Sequence, residues 1–199
     1  MKHLIILTVF CTTTLIVSET YSQSADLTTA DETMQMYVDN FEKDDKRKYY
    51  IQEVVQSEGN SQEQLFDALK MWLSEHYEDD GFSMDADDME AGMLVGSGWK
   101  YLGITSDWSA IKMHYSIKIA VRDGKYRFRI FHVKFDNHSA EGTLSSTSTL
   151  TDKIKAAHDE NGKIVLGAQY TFASDALQSL IESKESLMSV DIAMLQSVR

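Results

Sequence analysis

The side chains best suited to proton transfer or to zinc binding are histidines. Outside the N-terminal segment the chain has five of them: His76, His114, His132, His138 and His158. None stands in an HExxH motif or at another paired metal-ligand spacing, and the chain has neither a GxSxG elbow nor a P-loop. His114 and His132 fall on one predicted hairpin and could be paired in space, but a lone strand histidine is more often structural. The sequence therefore predicts no catalytic residue, no metal ligand and no cofactor, and it favours a protein that is not an enzyme.

Carboxylates are concentrated in residues 78–90, EDDGFSMDADDME, which hold seven acids. Four of them supply the oxygen ligands that Ca²⁺ prefers: Asp85, Asp87, Asp88 and Glu90. Their spacing does not match an EF-hand, and no glycine stands at the sharp turn that an EF-hand requires. The segment is better interpreted as a solvated acidic turn that joins two strands.

Cations are concentrated in the segment from Lys112 to Lys134, which holds seven of the 19 Lys and Arg residues and only one acid, Asp123. The chain as a whole has a net charge of −12, so this segment is a positively charged stretch in an otherwise negatively charged chain. One interpretation is a solvated face neutralised by acids elsewhere in the molecule. The other is a docking face for an anionic partner. The candidate binding residues of that face are Lys118, Arg122, Arg127 and Arg129.

These cations need an element that places them on one face, and the stretch Ala110–Phe135 predicts a long β-hairpin that does so. Apolar residues fall at every second position from Ile111 to Val121, which is the period of a strand. Asp123-Gly124 suits a two-residue type I′ turn, in which both central residues have positive φ. That turn predicts these pairs: Arg122 with Lys125, Val121 with Tyr126, Ile119 with Phe128, Ile117 with Ile130 and Lys118 with Arg129.

The apolar alternation of the second strand changes phase after Ile130. The apolar set moves from Tyr126, Phe128 and Ile130 to Phe131, Val133 and Phe135. A one-residue slip exchanges the two faces of a strand. The pattern predicts a β-bulge near Ile130-Phe131, or a bend where something else covers the far end of the strand.

The first 22 residues read as a secretory signal peptide. Lys2 and His3 are followed by a 14-residue apolar and Thr-rich run from Leu4 to Val17, which is too short to span a bilayer with margin. We expect cleavage near Ser22-Gln23, with retention as an uncleaved anchor as the alternative. Cys11 is the only cysteine, so cleavage leaves no thiol and no disulfide. The sequence thus predicts a secreted protein of the periplasm or cell surface, without a stable membrane span.

The remaining pattern predicts one α+β domain over residues 48–199. It comprises a strand over 48–57, a helix that Ser61 and Gln64 cap and that ends near Tyr77, a strand from Ala91 to Leu102, the hairpin, and a final helix over 174–198. Residues 23–47 are predicted to be an acidic lead-in, partly flexible, with a short helix from about Ala30 to Phe41 as the alternative.

Residues 136–173 are predicted to be a loop-rich insertion. Its Ser/Thr-rich first part, 136–151, reads as a loop. A short helix from Asp152 to His158, with Thr151 as its cap, and an edge strand over Lys163–Phe172 follow.

The order of these elements, together with YIQEVVQSEGNSQEQLFDALKMWLSEHY, DDMEAGMLVGSGW and YSIKIAVRDGKYRFRIFHVKF, resembles a bacterial family of exported domains. It is a domain of unknown function with a TATA-binding-protein-like fold. The resemblance covers about Lys48 to Phe135 and rests on structural motifs. It implies a curved antiparallel sheet, in β-α-β-β-β-β-α order, with helices on one face. It implies no activity and supplies no catalytic residue.

The leading functional hypothesis is an exported, non-catalytic binding domain. Its partner would be a protein or an anionic envelope polymer held on the open sheet face. Self-association into a homo-oligomer, through the acidic 78–90 region and the basic hairpin, is the first alternative. An uncharacterised hydrolase is the second, and it requires a cleft in which histidine and acid groups converge. The net charge of −12 argues against nucleic-acid binding, which needs a basic footprint.

Overall fold

The structure, a computed structural model, describes residues 27–76, 81–104, 110–139, 141–165 and 167–190. The predicted signal peptide with its cleavage site, and Ile192, Leu195 and Val198 of the predicted last helix, lie outside the described residues. None of the helices among the described residues is long and apolar enough to cross a bilayer.

The described residues form four helices and seven strands, and the strands make one antiparallel sheet. In chain order they are α1 (27–38), β1 (Glu42–Lys43), β2 (Tyr49–Gln56), α2 (Gln62–His76), β3 (Ser83–Asp88), β4 (Met93–Ile104), β5 (Ala110–Arg122), β6 (Lys125–His138), β7 (Leu144–Thr149), α3 (Leu150–Ala156) and α4 (Ala168–Met188). The sheet order is β1-β2-β6-β5-β4-β3, and β7 also pairs with β6. The predicted α+β class and antiparallel sheet are confirmed.

The predicted hairpin is the centre of the sheet, and all five predicted pairs are present in its register. Alternate residues of β5, from Ile111 to Val121, are buried. They pack in one core with apolar residues of α2 and α4, among them Leu69 and Leu177. The opposite side of the sheet, which we call the open face, carries half-buried and exposed side chains.

The hairpin turn differs from the predicted type I′. Gly124 has a φ of +72°, but Asp123 does not have positive φ. The Asp123 carboxylate instead accepts a 2.7 Å hydrogen bond from the backbone N–H of Gln62, at the first residue of α2. A carboxylate at a helix N-terminus is stabilised by the unpaired N–H groups there. The turn therefore also anchors α2, which the hairpin sequence alone does not indicate.

The predicted phase change in β6 is a β-bulge at His132. Ser116 pairs with Phe131, but the next pair is His114 with Lys134, so β6 contains one extra residue. His132 has a φ of +56°, one of two positive values outside glycine among the described residues. β6 also changes its second neighbour here, because its residues 125–130 pair with β2 and its residues 134–138 pair with β7. The bulge lies one residue beyond the predicted site.

Three segments predicted as irregular or extended have a different structure. The acidic turn contains strand β3, and the Ser/Thr-rich loop contains β7. The predicted edge strand over 163–172 is wrong, because α4 already begins at Ala168 and not at 174. Strands β3 and β7 are exposed and obtain their hydrogen bonds from a neighbouring strand, so their sequences show little apolar alternation. The α3 cap is Thr149, not Thr151, in a capping box with Asp152.

The lead-in contains an ordered helix, since α1 buries Ala30 and Met34 in the core. The capping box predicted for α2 is present. Ser61 Oγ accepts a 3.2 Å bond from the Gln64 N–H, and Gln64 Oε1 accepts a 2.9 Å bond from the Ser61 N–H. Local sequence signals therefore placed this helix start correctly.

Tyr126→Phe tests how the sheet is joined to α4. The Tyr126 hydroxyl donates a 2.6 Å hydrogen bond to the Leu187 carbonyl, and burial raises the pKa of Tyr126 to about 12. We expect the variant to lose about 1 kcal/mol of unfolding free energy at pH 7. The folded pKa is above the unfolded value of about 10, so the native protein loses stability as pH rises from about 10 to 12. The variant should lack that loss.

Chemical unfolding at pH 7 and pH 11 checks this expectation, with Tyr101→Phe as the matched exposed control, since Tyr101 is 54% exposed. Equal alkaline losses in the native protein and in Tyr126→Phe would show that this hydroxyl does not couple folding to pH.

Candidate binding site on the open face

The register of β4, β5 and β6 places the cations of the hairpin in two groups on the open face, one near the hairpin turn and one beyond the bulge in β6. Near the turn, Lys118 lies between Val95 and Arg129, and Arg127 lies between Ala120 and Val54. We call this group, with Arg122, the basic patch: Lys118, Arg122, Arg127 and Arg129. The four predicted binding residues are therefore on one face.

The four cations of the basic patch have different environments. Lys118 and Arg127 are exposed, and no carboxylate of the described residues forms a salt bridge with either. Arg129 stacks on the Tyr50 ring, 3.7 Å from its centroid. Arg122 Nη1 donates 2.8 Å hydrogen bonds to the Ala91 and Val121 carbonyls, so this side chain also holds the hairpin to the β3–β4 turn. Lys118 and Arg127 are the two most available to a partner.

No acid of the described residues forms a salt bridge with the basic patch, although Asp44 interacts with Arg129 at longer range. The three salt bridges found there are Lys70–Asp87, His114–Asp136 and Lys184–Glu53. The acids of β3 are engaged locally: Asp87 with Lys70, Asp85 with Ser83, and Asp88 with the Ala91 N–H. This arrangement favours the docking interpretation of the patch over the solvated one.

A cleft of about 710 Å³ opens on the same face around the bulge in β6. Register brings Trp99, His114 and Lys134 into one row across β4, β5 and β6. Tyr101, Lys112, Asp136 and Thr147 form the adjacent row. The size is within the range of small-molecule sites.

His114 and His132, the pair singled out on the hairpin, both line this cleft. His114 Nε2 lies 3.1 Å from Asp136 Oδ2, and the two side chains are 39% and 23% exposed. This contact is a salt bridge only while the imidazole carries its second proton. The contact therefore neutralises Asp136 locally when His114 is protonated.

His132 lies in a cationic environment. Its pKa is lowered by partial desolvation, and the ammonium groups of Lys48 and Lys134 and the Arg129 guanidinium lower it further, against a weaker opposing effect of Asp44. Lys48 lies beside His132 because it directly precedes β2. Strand β2 pairs with β6 on one side of the bulge and β7 pairs with β6 on the other side. The three cations around His132 therefore outweigh the one acid, Asp44, that acts on it in the opposite direction.

One wall of the cleft is aromatic. The Trp99 ring lies edge-on to Tyr101, with centroids 5.0 Å apart, and Lys112 Nζ is 4.3 Å from the Trp99 centroid and 5.1 Å from that of Tyr101. Gly81, with a φ of +56°, passes so close to the indole that a Cβ there would overlap it. These contacts fix the ring orientation before any ligand arrives.

The sequence indicated the basic patch but not this cleft. Trp99, Lys48 and Asp136 are far apart in the chain. The pairings of β4 with β5, β5 with β6 and β2 with β6, together with the position of the bulge, bring them together. Counting residue pairs of β5 and β6 outward from the Asp-Gly turn predicts that His114 pairs with Lys134, but only if the extra residue of the bulge is included in the count. In the part of the chain that the structure describes, no three His, Cys, Asp or Glu side chains are grouped to hold a metal ion.

His132→Gly tests whether the bulge stores backbone strain. A non-glycine residue at positive φ costs about 1 kcal/mol, which glycine avoids, so we expect the variant to be more stable by about that amount. The folded pKa of His132 is below the unfolded value, so protonation removes native stability as pH falls below about 6.5. The advantage of the variant should therefore be larger at pH 5 than at pH 8.

Denaturant unfolding at the two pH values measures both effects. Lys134→Gly is the control, because Lys134 is in the same strand without positive φ and its replacement should be destabilising. If His132→Gly destabilises the protein as much as Lys134→Gly does, the bulge holds no strain that glycine relieves.

Comparison with known proteins identifies the fold. Residues 51–136 match the family model described as a domain of unknown function (DUF4468) with TBP-like fold. A crystal structure of a DUF4468 family protein from Bacteroides ovatus is similar, with a TM-score of 0.59 and 16% identity, covering 74% of this chain and 88% of that one. A TBP-like protein from Parabacteroides distasonis gives a TM-score of 0.55 at 16% identity, covering 72% and 95%. No curated protein matches the chain significantly. The predicted family resemblance and TBP-like fold are confirmed, and at this identity the solved structures show the fold alone.

Proposed function

We propose that the protein is a non-catalytic binding domain that holds an anionic polymer on its open face. The premise is that residues 51–136 match the model of the DUF4468 family and have a TBP-like fold. A family of unknown function supplies no activity, so the proposal rests on this chain's own surface. The observation that carries it is a basic patch without internal salt bridges, in the described residues, on a chain of net charge −12.

Charge and exposure support a polymer as the partner. Cations of the basic patch and of the cleft lie in rows of the same face, Arg127 and Lys118 on one side of the uncharged Ser116–Phe131 pair and Lys134 and Lys112 on the other. A polyanion can contact several such rows at once, and each contact adds to the affinity. The chain's overall negative charge keeps other surfaces from competing for the polymer. We place the protein outside the cytoplasm, in the periplasm or at the cell surface, where an envelope polymer carrying carboxylate or phosphate groups would be its partner.

A salt series with two polyanions and one neutral polymer tests this function. The purified protein should bind immobilised poly-glutamate and alginate at about 50 mM salt, and lose at least tenfold in affinity by about 200 mM, because exposed charges are screened. It should not bind dextran, which is uncharged. Absence of binding to both polyanions at low salt would refute the proposal.

Hydrolysis is the second candidate function, and the His114–Asp136 contact in the cleft favours it. An imidazole oriented by a carboxylate can act as a general base. A hydrolase would release products from ester, phosphoester or glycosidic probes, and His114→Ala would abolish that release while the fold is retained. Binding without turnover supports the non-catalytic function.

Self-association through the acidic strand β3 has less support. Asp85, Asp87 and Asp88 are engaged by groups of their own molecule, as described above. Light scattering across the same salt series separates this alternative, since a dimer of opposite charges should dissociate as salt rises.

A further inference from the structure

We propose that the cleft at the bulge is a subsite for one acidic sugar unit, whose ring packs against the part of Trp99 that lines the cleft and whose acid group lies beside Lys48, Lys134 and His132. This inference rests on the proposed function, because it names the chemical class of the polymer that the open face holds. It adds to that function, because a patch of exposed cations alone distinguishes anionic from neutral polymers but does not distinguish a sugar from another anion.

The acid group is placed by the charges around the bulge. Lys48 and Lys134 both line the cleft with His132, and both act on its imidazole as nearby positive charges. Neither lysine has a salt-bridge partner among the described residues. Two ammonium groups without a salt bridge, beside an imidazole, can hold a carboxylate, sulfate or phosphate group.

The sugar ring is placed by the aromatic wall and by the polar groups opposite it. Trp99 is half-buried and its orientation is fixed by Tyr101, Lys112 and the close approach of Gly81, so the part of the indole that lines the cleft is a fixed surface. Asp136 and Thr147 line the same cleft and are hydrogen-bonded to each other, 2.7 Å apart. The carboxylate can also accept bonds from ligand hydroxyls, because an ionised carboxylate has about four acceptor sites.

A sugar accounts for this mixture better than a simple anion does. A carboxylate such as Asp136 repels an anion but accepts hydrogen bonds from hydroxyl groups. A ligand that satisfies the whole cleft needs an acid group at one end and several hydroxyl groups on an otherwise apolar ring face. An acidic monosaccharide unit has both, and the volume of about 710 Å³ accommodates it with its neighbours in a chain.

Calorimetric titration of the purified protein tests the subsite. The probes are short oligosaccharides that end in a uronic acid, a sialic acid or a sulfated sugar, each beside its neutral counterpart. We expect at least one acidic member to bind at least tenfold more tightly than its counterpart. Trp99→Ala should weaken that binding at least tenfold, and Lys48→Ala with Lys134→Ala should weaken it similarly. Trp99→Phe keeps an aromatic face and should stay within about threefold.

Two comparisons separate this inference from the proposed function. Lys118→Glu with Arg127→Glu should lose poly-glutamate binding and keep the oligosaccharide, because those residues lie outside the cleft. Retained poly-glutamate binding with no acidic oligosaccharide bound would overturn the subsite alone. Absence of binding of the native protein to both poly-glutamate and alginate would overturn the proposed function.

Two further results would also reject the sugar assignment. One is oligosaccharide binding that is unchanged by Trp99→Ala. The other is a nucleoside monophosphate or inorganic phosphate that binds as tightly as the best acidic sugar. In the first case the ring does not contact the ligand, and in the second the cleft selects the anion and not the sugar.

Discussion

Lys118→Glu with Arg127→Glu is expected to weaken polyanion binding by about 100-fold at 50 mM salt. Both side chains are exposed on the open face and lack internal carboxylate partners among the described residues. A tenfold loss for each reversal corresponds to about 1.4 kcal/mol, a usual cost for placing a like charge against a charged partner. Arg129 and Arg122 are left unchanged, because Arg129 stacks on Tyr50 and Arg122 bonds the backbone of the β3–β4 turn.

The matched control is Lys155→Glu with Lys163→Glu. These two lysines are also exposed, and their reversal changes the net charge by the same amount, from −12 to −16. Neither lies on the open face of the hairpin. Binding measured by biolayer interferometry on poly-glutamate should fall less than threefold in this control. Equal losses in the two variants would mean that net charge, and not the basic patch, governs binding.

Phe128→Ala is expected to cost about 3–5 kcal/mol of unfolding free energy, the range for truncating a buried phenylalanine. Phe128 is fully buried, pairs with Ile119 across the hairpin, and lies in the core with α2 and α4. Domains of this size unfold with about 5–15 kcal/mol in total, and the single cysteine leaves no intramolecular disulfide to compensate. The variant should therefore lose a large share of the total stability and unfold at a clearly lower denaturant concentration than the native protein.

Phe131→Ala is the internal control, since it makes the same change three residues along the same strand. Phe131 is on the open face and only half-buried, where it pairs with Ser116. We expect a smaller cost of about 1 kcal/mol, because part of the ring is already exposed to solvent and its truncation leaves no enclosed cavity. Denaturant midpoints measure both variants. Similar costs at the two positions would contradict the assignment of Phe128 to the buried face and of Phe131 to the open face.

The hairpin and α2 could be predicted from sequence because their signals are local and agree. The alternation from Ile111 to Val121 and the Asp-Gly turn fix the register independently, and Ser61 with Gln64 marks the start of the helix. The turn type could not be predicted, because the conformation of Asp123 depends on the Gln62 N–H, which belongs to another element.

Strands β3 and β7 could not be predicted, since exposed strands of Asp, Ser and Thr carry no apolar period. Their formation depends on the hydrogen-bonding edges that β4 and β6 provide. The basic patch followed from one hairpin, but the cleft required five strands in register and a bulge whose position decides which way Lys134 and Asp136 face. Long-range pairing of this kind is not encoded in any single segment of the chain.

The most direct test of the central claim is to map where a polyanion touches the protein. In ¹H–¹⁵N correlation spectra of the purified protein titrated with short poly-glutamate, we expect the shifts to concentrate on open-face positions of β5 and β6, with Lys118 and Arg127 among the largest. Buried positions that face the helices, and α4 itself, should change little. Shifts centred on α2 or α4, or no shifts at 50 mM salt, would contradict binding on the open face.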